Sequence, residues 1–253
     1  TMRGGDGNAV KLLPGAAMTL SAAVVRNVTG SSLVHGVTIN EDTAQASTTG
    51  GAVRDVLIDG VTFEPGASSS CVDVTCPDVT NLRLRNITQK STTSPQAVNL
   101  VGTALGDIEI DGLTAGTVTS HTKNLVKVAA GCTISRLRVS NVSAVQSGVA
   151  TILTTSGTIS MLQLTGVRQT GGSSLVLIAA GASLPIVTIN SLHSTADYGV
   201  RQLATNAVEI HATNVTAMSG TGLVYLSGAG SSAVLRGAGI SAATAYQFAR
   251  SST

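Results

Sequence analysis

Two ten-residue stretches, VTNLRLRNIT (79–88) and LGDIEIDGLT (105–114), share the pattern that decides the fold of this chain. Apolar and polar residues alternate in both, and a period of two is typical of a β-strand with one buried face. Seven further stretches align with them without gaps and begin at residues 20, 53, 134, 159, 184, 207 and 232. Successive copies begin 23–33 residues apart, so the sequence predicts a structural repeat.

The nine copies agree most closely at the positions that a core would need. The fourth, sixth and ninth residues of the copies are Val, Leu or Ile at 24 of 27 places. The eighth residues are Asn27, Gly60, Asn86, Gly112, Asn141, Gly166, Ser191, Asn214 and Gly239. Because Asn and Gly tolerate a left-handed backbone, we expect a bend there, after which the ninth residue points inward on a new sheet.

A shorter apolar stretch precedes each copy from the second onward, and a turn of small residues follows it. A period of about 25 residues with two to three short strands is typical of one coil of a parallel β-solenoid, with coils stacked about 4.8 Å apart. We therefore predict an all-β, single-stranded parallel β-helix of about nine to ten coils. In this interpretation one domain spans 1–253, with a partial coil or cap at 1–19, regular coils at 20–241 and a partial coil at 242–253. Because a Thr precedes the first Met, we expect the chain to be part of a longer one.

The composition excludes several classes of protein. With 43% hydrophobic and 11% charged residues, the chain is not disordered through excess charge. No apolar run approaches the roughly 18 residues of a membrane-spanning helix, so we expect no membrane insertion. A net charge of +2 is too balanced for a basic nucleic-acid-binding face, so we expect no nucleic-acid partner.

The cysteines and histidines lack the spacing of a metal site or a catalytic triad. Three cysteines are an odd number, and we interpret Cys71, Cys76 and Cys132 as small buried hydrophobic residues. We expect His35, His121, His193 and His211 to be mostly surface residues, and we predict no metal site among them.

Charged residues alternate in sign along the outward positions of the second to fifth copies. The series is Asp59, then Arg83 and Arg85, then Glu109 and Asp111, then Arg136 and Arg138. In-register stacking would otherwise place like charges about 5 Å apart, so the first interpretation is a ladder of surface ion pairs, each contributing about 0.2–1 kcal/mol. The alternative is a carbohydrate site, in which Arg83, Arg85, Arg136 and Arg138 are candidate ligand-binding residues.

Three acidic residues on one strand are the candidate catalytic groups of such a site. Asp107, Glu109 and Asp111 point the same way, with neighbours about 6.6 Å apart. That spacing falls between the carboxylate separations of retaining and inverting glycosidases. Sugar-binding surfaces usually need exposed aromatic residues, however, and the chain has only three Tyr and two Phe. The sequence therefore favours the absence of catalysis within this chain.

The strand–Asn–strand corner, with aliphatic and Asn residues stacked from coil to coil, resembles the right-handed parallel β-helices of the pectin-lyase-like superfamily. The resemblance covers nearly the whole chain and implies a right-handed coil. That superfamily includes pectate lyases, polygalacturonases, bacterial adhesins and phage tailspikes. The polygalacturonase-like strings Asn-Thr-Asp, Asp-Asp, Gly-His-Gly and Arg-Ile-Lys are missing. A likeness to pectate lyases would allow calcium at the acidic residues, with an arginine as base; otherwise we expect no cofactor.

The second strands carry the expectation about assembly. In SLVLIA (174–179) and GLVYLS (222–227), Leu175 and Leu177 lie opposite Val176 and Ile178, and Leu223 and Tyr225 lie opposite Val224 and Leu226. A strand that is apolar on both faces needs a cover on its outer face. We expect another subunit there and, by analogy with phage spikes, a homotrimer.

Three functions fit these features. The preferred one is the structural and host-surface-binding β-helix of a phage tailspike or tail fibre, located in the virion tail and recognising a bacterial surface polysaccharide. The second is a secreted polysaccharide lyase or glycoside hydrolase. The third is an adhesin on a bacterial cell surface. The preference for the phage protein rests on analogy of fold.

Overall fold

The chain winds into two parallel β-sheets that share one core. The computed structural model describes residues 2–3, 8–15, 17–31, 34–40, 51–66, 69–91, 96–115, 123–218, 222–242 and 249–250. The strands in these residues are β1 (Met2–Arg3), β2 (Val10–Leu12), β3 (Thr19–Ser21), β4 (Val24–Ser31), β5 (Val37–Ile39), β6 (Ala52–Glu64), β7 (Ser70–Val74), β8 (Asp78–Gln89), β9 (Gln96–Leu100), β10 (Ala104–Ala115), β11 (Val126–Val128), β12 (Thr133–Val145), β13 (Thr151–Thr155), β14 (Thr158–Ile159), β15 (Leu162–Thr170), β16 (Ser174–Ile178), β17 (Ile186–Ser194), β18 (Tyr198–Gln202), β19 (Ala207–Met218), β20 (Gly222–Leu226), β21 (Ser232–Ala242) and β22 (Ala249–Arg250). The all-β prediction is confirmed.

Strands that follow one another in a sheet come from successive coils. The long-strand sheet has the order β1-β4-β6-β8-β10-β12-β15-β17-β19-β21. Two further short strands belong to it, since β3 pairs with β6 and β14 pairs with β12. The short-strand sheet has the order β2-β5-β7-β9-β11-β13-β16-β18-β20-β22. The nine repeat copies lie on nine successive long strands and so enclose eight full turns, close to the predicted nine to ten coils. The predicted parallel β-solenoid is therefore confirmed, whereas the right-handed twist of the coil stays a prediction.

Residues that occupy the same position in successive copies are paired with one another in the long-strand sheet, as the alignment predicted. Ile58 pairs with Leu84, and Leu84 pairs with Ile110, each with no exposed surface. The same register continues from Leu137 to Leu162 and Val187 further along the sheet. Burial of each such side chain stabilises the fold by about 1.5–3 kcal/mol. The aliphatic columns of the repeat are therefore the core of the solenoid.

The eighth residue of every copy has a left-handed backbone, as predicted. Its φ lies between +52° and +79° at all nine positions, and Ser191 at +57° is the only one that is neither Asn nor Gly. Asn and Gly alternate at this position from the first to the sixth copy, and the spacing of the coils explains why. A Cβ atom on Gly112 would lie 3.1 Å from Oδ1 of Asn86, and one on Gly166 would lie 3.1 Å from Oδ1 of Asn141. Each of these glycines thus makes room for the Asn of the preceding coil.

The expectation of a new sheet after the bend is wrong. The ladder continues through the bend, because residues on both sides of Gly60 in β6 pair with β8. A positive φ at a single residue turns the strand without removing its neighbours from the ladder. Ala22, Asp55 and Asn81, the third residues of the first three copies, also have positive φ values between +54° and +56°. The long strands of β6 and β8 therefore bend twice.

The outer face of the short-strand sheet is less apolar than expected. Leu175 and Leu223 belong to the buried core together with Val176 and Val224. The ladder skips this second residue of the strand, since Ser174 pairs with Tyr198 and the next pair is Val176 with Val200. Strict alternation fails at the skipped residue, so two successive side chains lie in the core. Of the eight residues compared in these two strands, Leu177, Tyr225 and Leu226 are half-exposed and the others are buried.

The cysteines behave as predicted, since all three are free and buried. Burial raises the pKa of Cys71, and it raises the pKa of Cys132 from an ordinary value of 9.0 to about 12. These thiols are core residues without nucleophilic character.

The described histidines are not all surface residues. His193 is exposed and His211 is half-exposed, as predicted. Nδ1 of half-buried His35 instead accepts a hydrogen bond of 3.0 Å from the backbone N–H of Ser70, which joins two coils. His121 lies outside the described residues, as do parts of the terminal regions 1–19 and 242–253. Among the residues described, no helical segment has the length and apolarity of a bilayer crossing.

Candidate functional site

A polar groove crosses four successive strands, β6, β8, β10 and β12, on the outer surface of the long-strand sheet. It consists of two adjoining depressions of about 140 and about 200 Å³, which share Asn81 and Arg83. We call it the axial groove and define it by Asp55, Leu57, Asn81, Arg83, Asp107, Glu109, Arg136 and Arg138. It contains five of the seven site residues predicted from the sequence, whereas Arg85 and Asp111 lie beside it.

The repeat explains why the groove runs along the stacking direction. Its lining comes from the third and fifth residues of four successive copies, and these stack in register from coil to coil. The fourth residue between them, such as Leu82 or Ile108, is buried in the core. At Asp55 and Asn81 the left-handed backbone bends the strand beside the groove, and Nδ2 of Asn81 donates a 2.8 Å hydrogen bond to Oδ1 of Asp55. The groove is thus a regular product of the solenoid.

Each of the three predicted acidic residues already has partners within the protein. Asp107 forms an ion pair with Arg136, and Oε1 of Glu109 lies 3.6 Å from Nη2 of Arg85. Oδ1 of Asp111 accepts a 2.8 Å hydrogen bond from Oγ of Ser140 and a 2.6 Å one from Nδ2 of Asn141. The carboxylates are therefore held in place by donors from neighbouring coils.

The predicted alternation of charge is present in the register, but the ion-pair ladder is incomplete. Glu109 is paired in the ladder with Arg83 on one side and with Arg138 on the other. Its ion pair is nevertheless with Arg85, which is paired in the ladder with Asp111. A half-exposed ion pair stabilises by only about 0.2–1 kcal/mol, so neutral donors such as Ser140 compete well for a carboxylate. Strand register alone does not decide which charges touch.

Two arginines of the groove remain without a carboxylate partner among the described residues. Arg83 is exposed and has no hydrogen bond or ion pair within the described part of the chain. Nε of half-exposed Arg138 donates a 3.1 Å hydrogen bond to Oε1 of Gln163, which is neutral. The groove therefore presents two guanidinium groups whose charge no contacting carboxylate offsets.

No group of three or more His, Cys, Asp or Glu side chains within the described ranges is arranged to hold a metal ion. Asp107, Glu109 and Asp111 are spaced along one strand, and each contacts a different donor. The expectation of no cofactor stays a prediction, with calcium at these residues as the alternative that a likeness to pectate lyases would allow.

Some residues of interest were missed by the sequence analysis. Asp55, Leu57 and Asn81 complete the groove, and the left-handed backbone that Asp and Asn tolerate was a usable signal at the third position of the repeat. Far from the groove, the rings of Tyr198 and Tyr225 lie 4.7 Å apart, and the guanidinium of Arg201 lies 5.6 Å from the Tyr225 ring centre. Tyr225 thus contacts both Tyr198 and Arg201.

Comparison with known proteins adds no relative. The sequence matches no protein-family model, and neither the curated proteins nor the solved structures contain a match to this chain.

Proposed function

We propose that this chain is a rigid solenoid shaft whose axial groove binds a linear bacterial surface polysaccharide. The observation that carries the proposal is a polar groove that continues over four coils. Three coil steps of about 4.8 Å give it a length of about 14 Å. A linear polymer lying along the stacking direction would meet the same kind of side chain at each coil, so the repeat of the protein matches a repeating ligand.

The chemistry of the lining supports a sugar. Arg83, Arg136 and Arg138 supply donors, and Asp107 and Glu109 supply acceptors. Sugar hydroxyl groups donate and accept hydrogen bonds, so both kinds of protein group find partners on the same ligand. Leu57 is half-buried at one end of the groove and offers an apolar contact for a sugar ring.

The contacts of the carboxylates support binding over bond cleavage. A general acid has to deliver a proton to the substrate. Asp107 contacts a guanidinium, and Asp111 accepts two hydrogen bonds, so these groups serve as acceptors toward the protein itself. The polysaccharide lyase or hydrolase therefore has less support than the binding shaft.

The wider setting of the proposal comes from the resemblance to right-handed β-helices of the pectin-lyase-like superfamily. We place the chain in a phage tailspike or tail fibre, as a homotrimer in the virion tail that contacts the host surface. A bacterial adhesin is the alternative. Light scattering on the purified chain tests the assembly, and a stable monomer at micromolar concentration would contradict the trimer.

The binding test uses purified capsule and O-antigen polysaccharides and a groove-filling variant. We expect Leu57→Trp to weaken binding at least tenfold, because the indole occupies the groove. Thr188→Trp is the matched control, since Thr188 is the fifth residue of a copy outside the groove and is also half-exposed. Equal binding by both variants, or no binding of any polysaccharide by the parent chain, would contradict the proposal.

A further inference from the structure

Arg83 is an arginine of the long-strand sheet that lines both depressions of the axial groove and contacts no carboxylate among the described residues. Arg54, Arg85, Arg136 and Arg236 each contact a carboxylate of a neighbouring coil. Arg83 is exposed at the junction of the two depressions, and no described residue pairs with it. Its five donors are thus available to a ligand in the groove.

Arg138 lies two coils further along the same column. Between the two arginines lies Glu109, which is paired in the ladder with both of them but forms its ion pair with Arg85. Two coil steps place the backbones of Arg83 and Arg138 about 9.6 Å apart. Both side chains line the larger depression. One groove wall therefore carries two cations at a fixed spacing, with their charge not offset by a contacting carboxylate.

From this geometry we propose that the axial groove selects an acidic saccharide, whose carboxylate groups contact Arg83 and Arg138. This inference rests on the proposed function and names the ligand class of the same groove. A guanidinium forms two parallel hydrogen bonds with a carboxylate, and such charge-assisted bonds are about twice as strong as neutral ones. A polymer with carboxylates on alternate sugars would meet both arginines, and its other sugars would lie beside Glu109 without repulsion.

The test compares acidic oligosaccharides with their own carboxyl-reduced forms. Octasaccharides of hyaluronan, alginate and polysialic acid serve as probes, and isothermal titration calorimetry measures the affinity of each pair of forms. We expect at least one acidic form to bind at least tenfold more tightly than its reduced partner. The preference should fall as the salt concentration rises, because the contacts are half-exposed.

The variants are Arg83→Gln and Arg138→Gln. Each should lower the affinity for the acidic form about tenfold and the affinity for the reduced form by a clearly smaller factor, because Gln keeps a neutral hydrogen-bond donor but loses the charge. Arg168→Gln is the control, because Arg168 is exposed on β15 outside the groove, and it should change neither affinity. An equal loss in Arg168→Gln would show a general effect of net charge and would overturn the proposal.

Failure of this inference differs from failure of the proposed function. If acidic and reduced forms bind equally and Leu57→Trp abolishes both, the groove binds sugar but does not select for charge. If neither Leu57→Trp nor Arg83→Gln changes the affinity for any probe, the groove is not the binding site, and both proposals are wrong.

Discussion

The coils of the groove and the coils that follow them have the same interior but different surfaces. Leu84 in β8 and Leu164 in β15 occupy the same core column, and both are fully buried. On the outer face, the fifth column changes from Arg83, Glu109 and Arg138 to Gln163 and Thr188. The comparison teaches that the inward columns carry the fold, whereas the outward columns vary between coils and carry the proposed binding groove.

The largest loss of stability is expected from truncating a core side chain in either region. We expect Leu84→Ala and Leu164→Ala each to lower the free energy of unfolding by about 2–5 kcal/mol, because each leaves a cavity in a packed column. Urea denaturation followed by circular dichroism measures the change. A loss under about 1 kcal/mol in one region alone would show that the two interiors are not equivalent.

The next effect concerns the bends, which also recur in both regions. Gly112→Ala and Gly166→Ala should each lower the free energy of unfolding by about 1–2 kcal/mol for the left-handed backbone, plus a penalty for contact with Asn86 or Asn141. Gly131→Ala is the control, because Gly131 has a φ of +79° but no atom within 4 Å of the added Cβ. Equal losses in all three variants would remove the packing explanation for the alternation of Asn and Gly.

The pH dependence of stability tests whether the Cys132 thiol is buried away from water. Because burial raises the pKa of Cys132 to about 12, the unfolded chain loses the thiol proton first as pH rises above about 9. The contribution of this thiol to the free energy of unfolding is fully present below pH 9 and is lost as the pH rises toward 12. At pH 10 the loss is on the order of 1 kcal/mol. Urea denaturation at pH 8 and pH 10 should show a smaller fall in Cys132→Ala than in the parent chain, and identical falls would mean that the thiol is accessible when folded.

The smallest effect is expected from the surface charges. Glu109→Gln removes the ion pair with Arg85, and Arg236→Gln removes an ion pair with Glu209 in the last coils. Each should lower the free energy of unfolding by less than about 1 kcal/mol. Thermal denaturation at low and high salt checks this, and a loss above about 2 kcal/mol for Glu109→Gln alone would show that the groove charges stabilise the fold.

The sequence predicted the interior well because the core columns are redundant. Nine copies repeat the same choice, so the register of Ile58, Leu84 and Ile110 could be read from the alignment alone. The left-handed bends were predictable because few residue types tolerate that backbone and because Asn or Gly recurs at the eighth position of nearly every copy.

The rest depended on geometry that a one-dimensional pattern lacks. Alternation predicted that Leu175 and Val176 would lie on opposite faces of the strand, but the ladder skips Leu175 and both residues lie in the core. The register places Glu109 beside Arg83 and Arg138, whereas its ion pair is with Arg85. The groove itself was missed because Asp55 and Asn81 belong to the third column of the repeat, which the core pattern did not single out.

The central claim is that like-numbered positions of successive copies stack at one coil step each. Electron–electron distance measurements between nitroxide labels test it directly, with Leu57 labelled in combination with Thr188 or with Arg236, each replaced by Cys. The native cysteines are buried and stay unlabelled. Five and seven coil steps predict narrow distance distributions near about 24 Å and about 34 Å. Equal distances for the two pairs, or a shorter distance to residue 236 than to residue 188, would contradict the stacked solenoid.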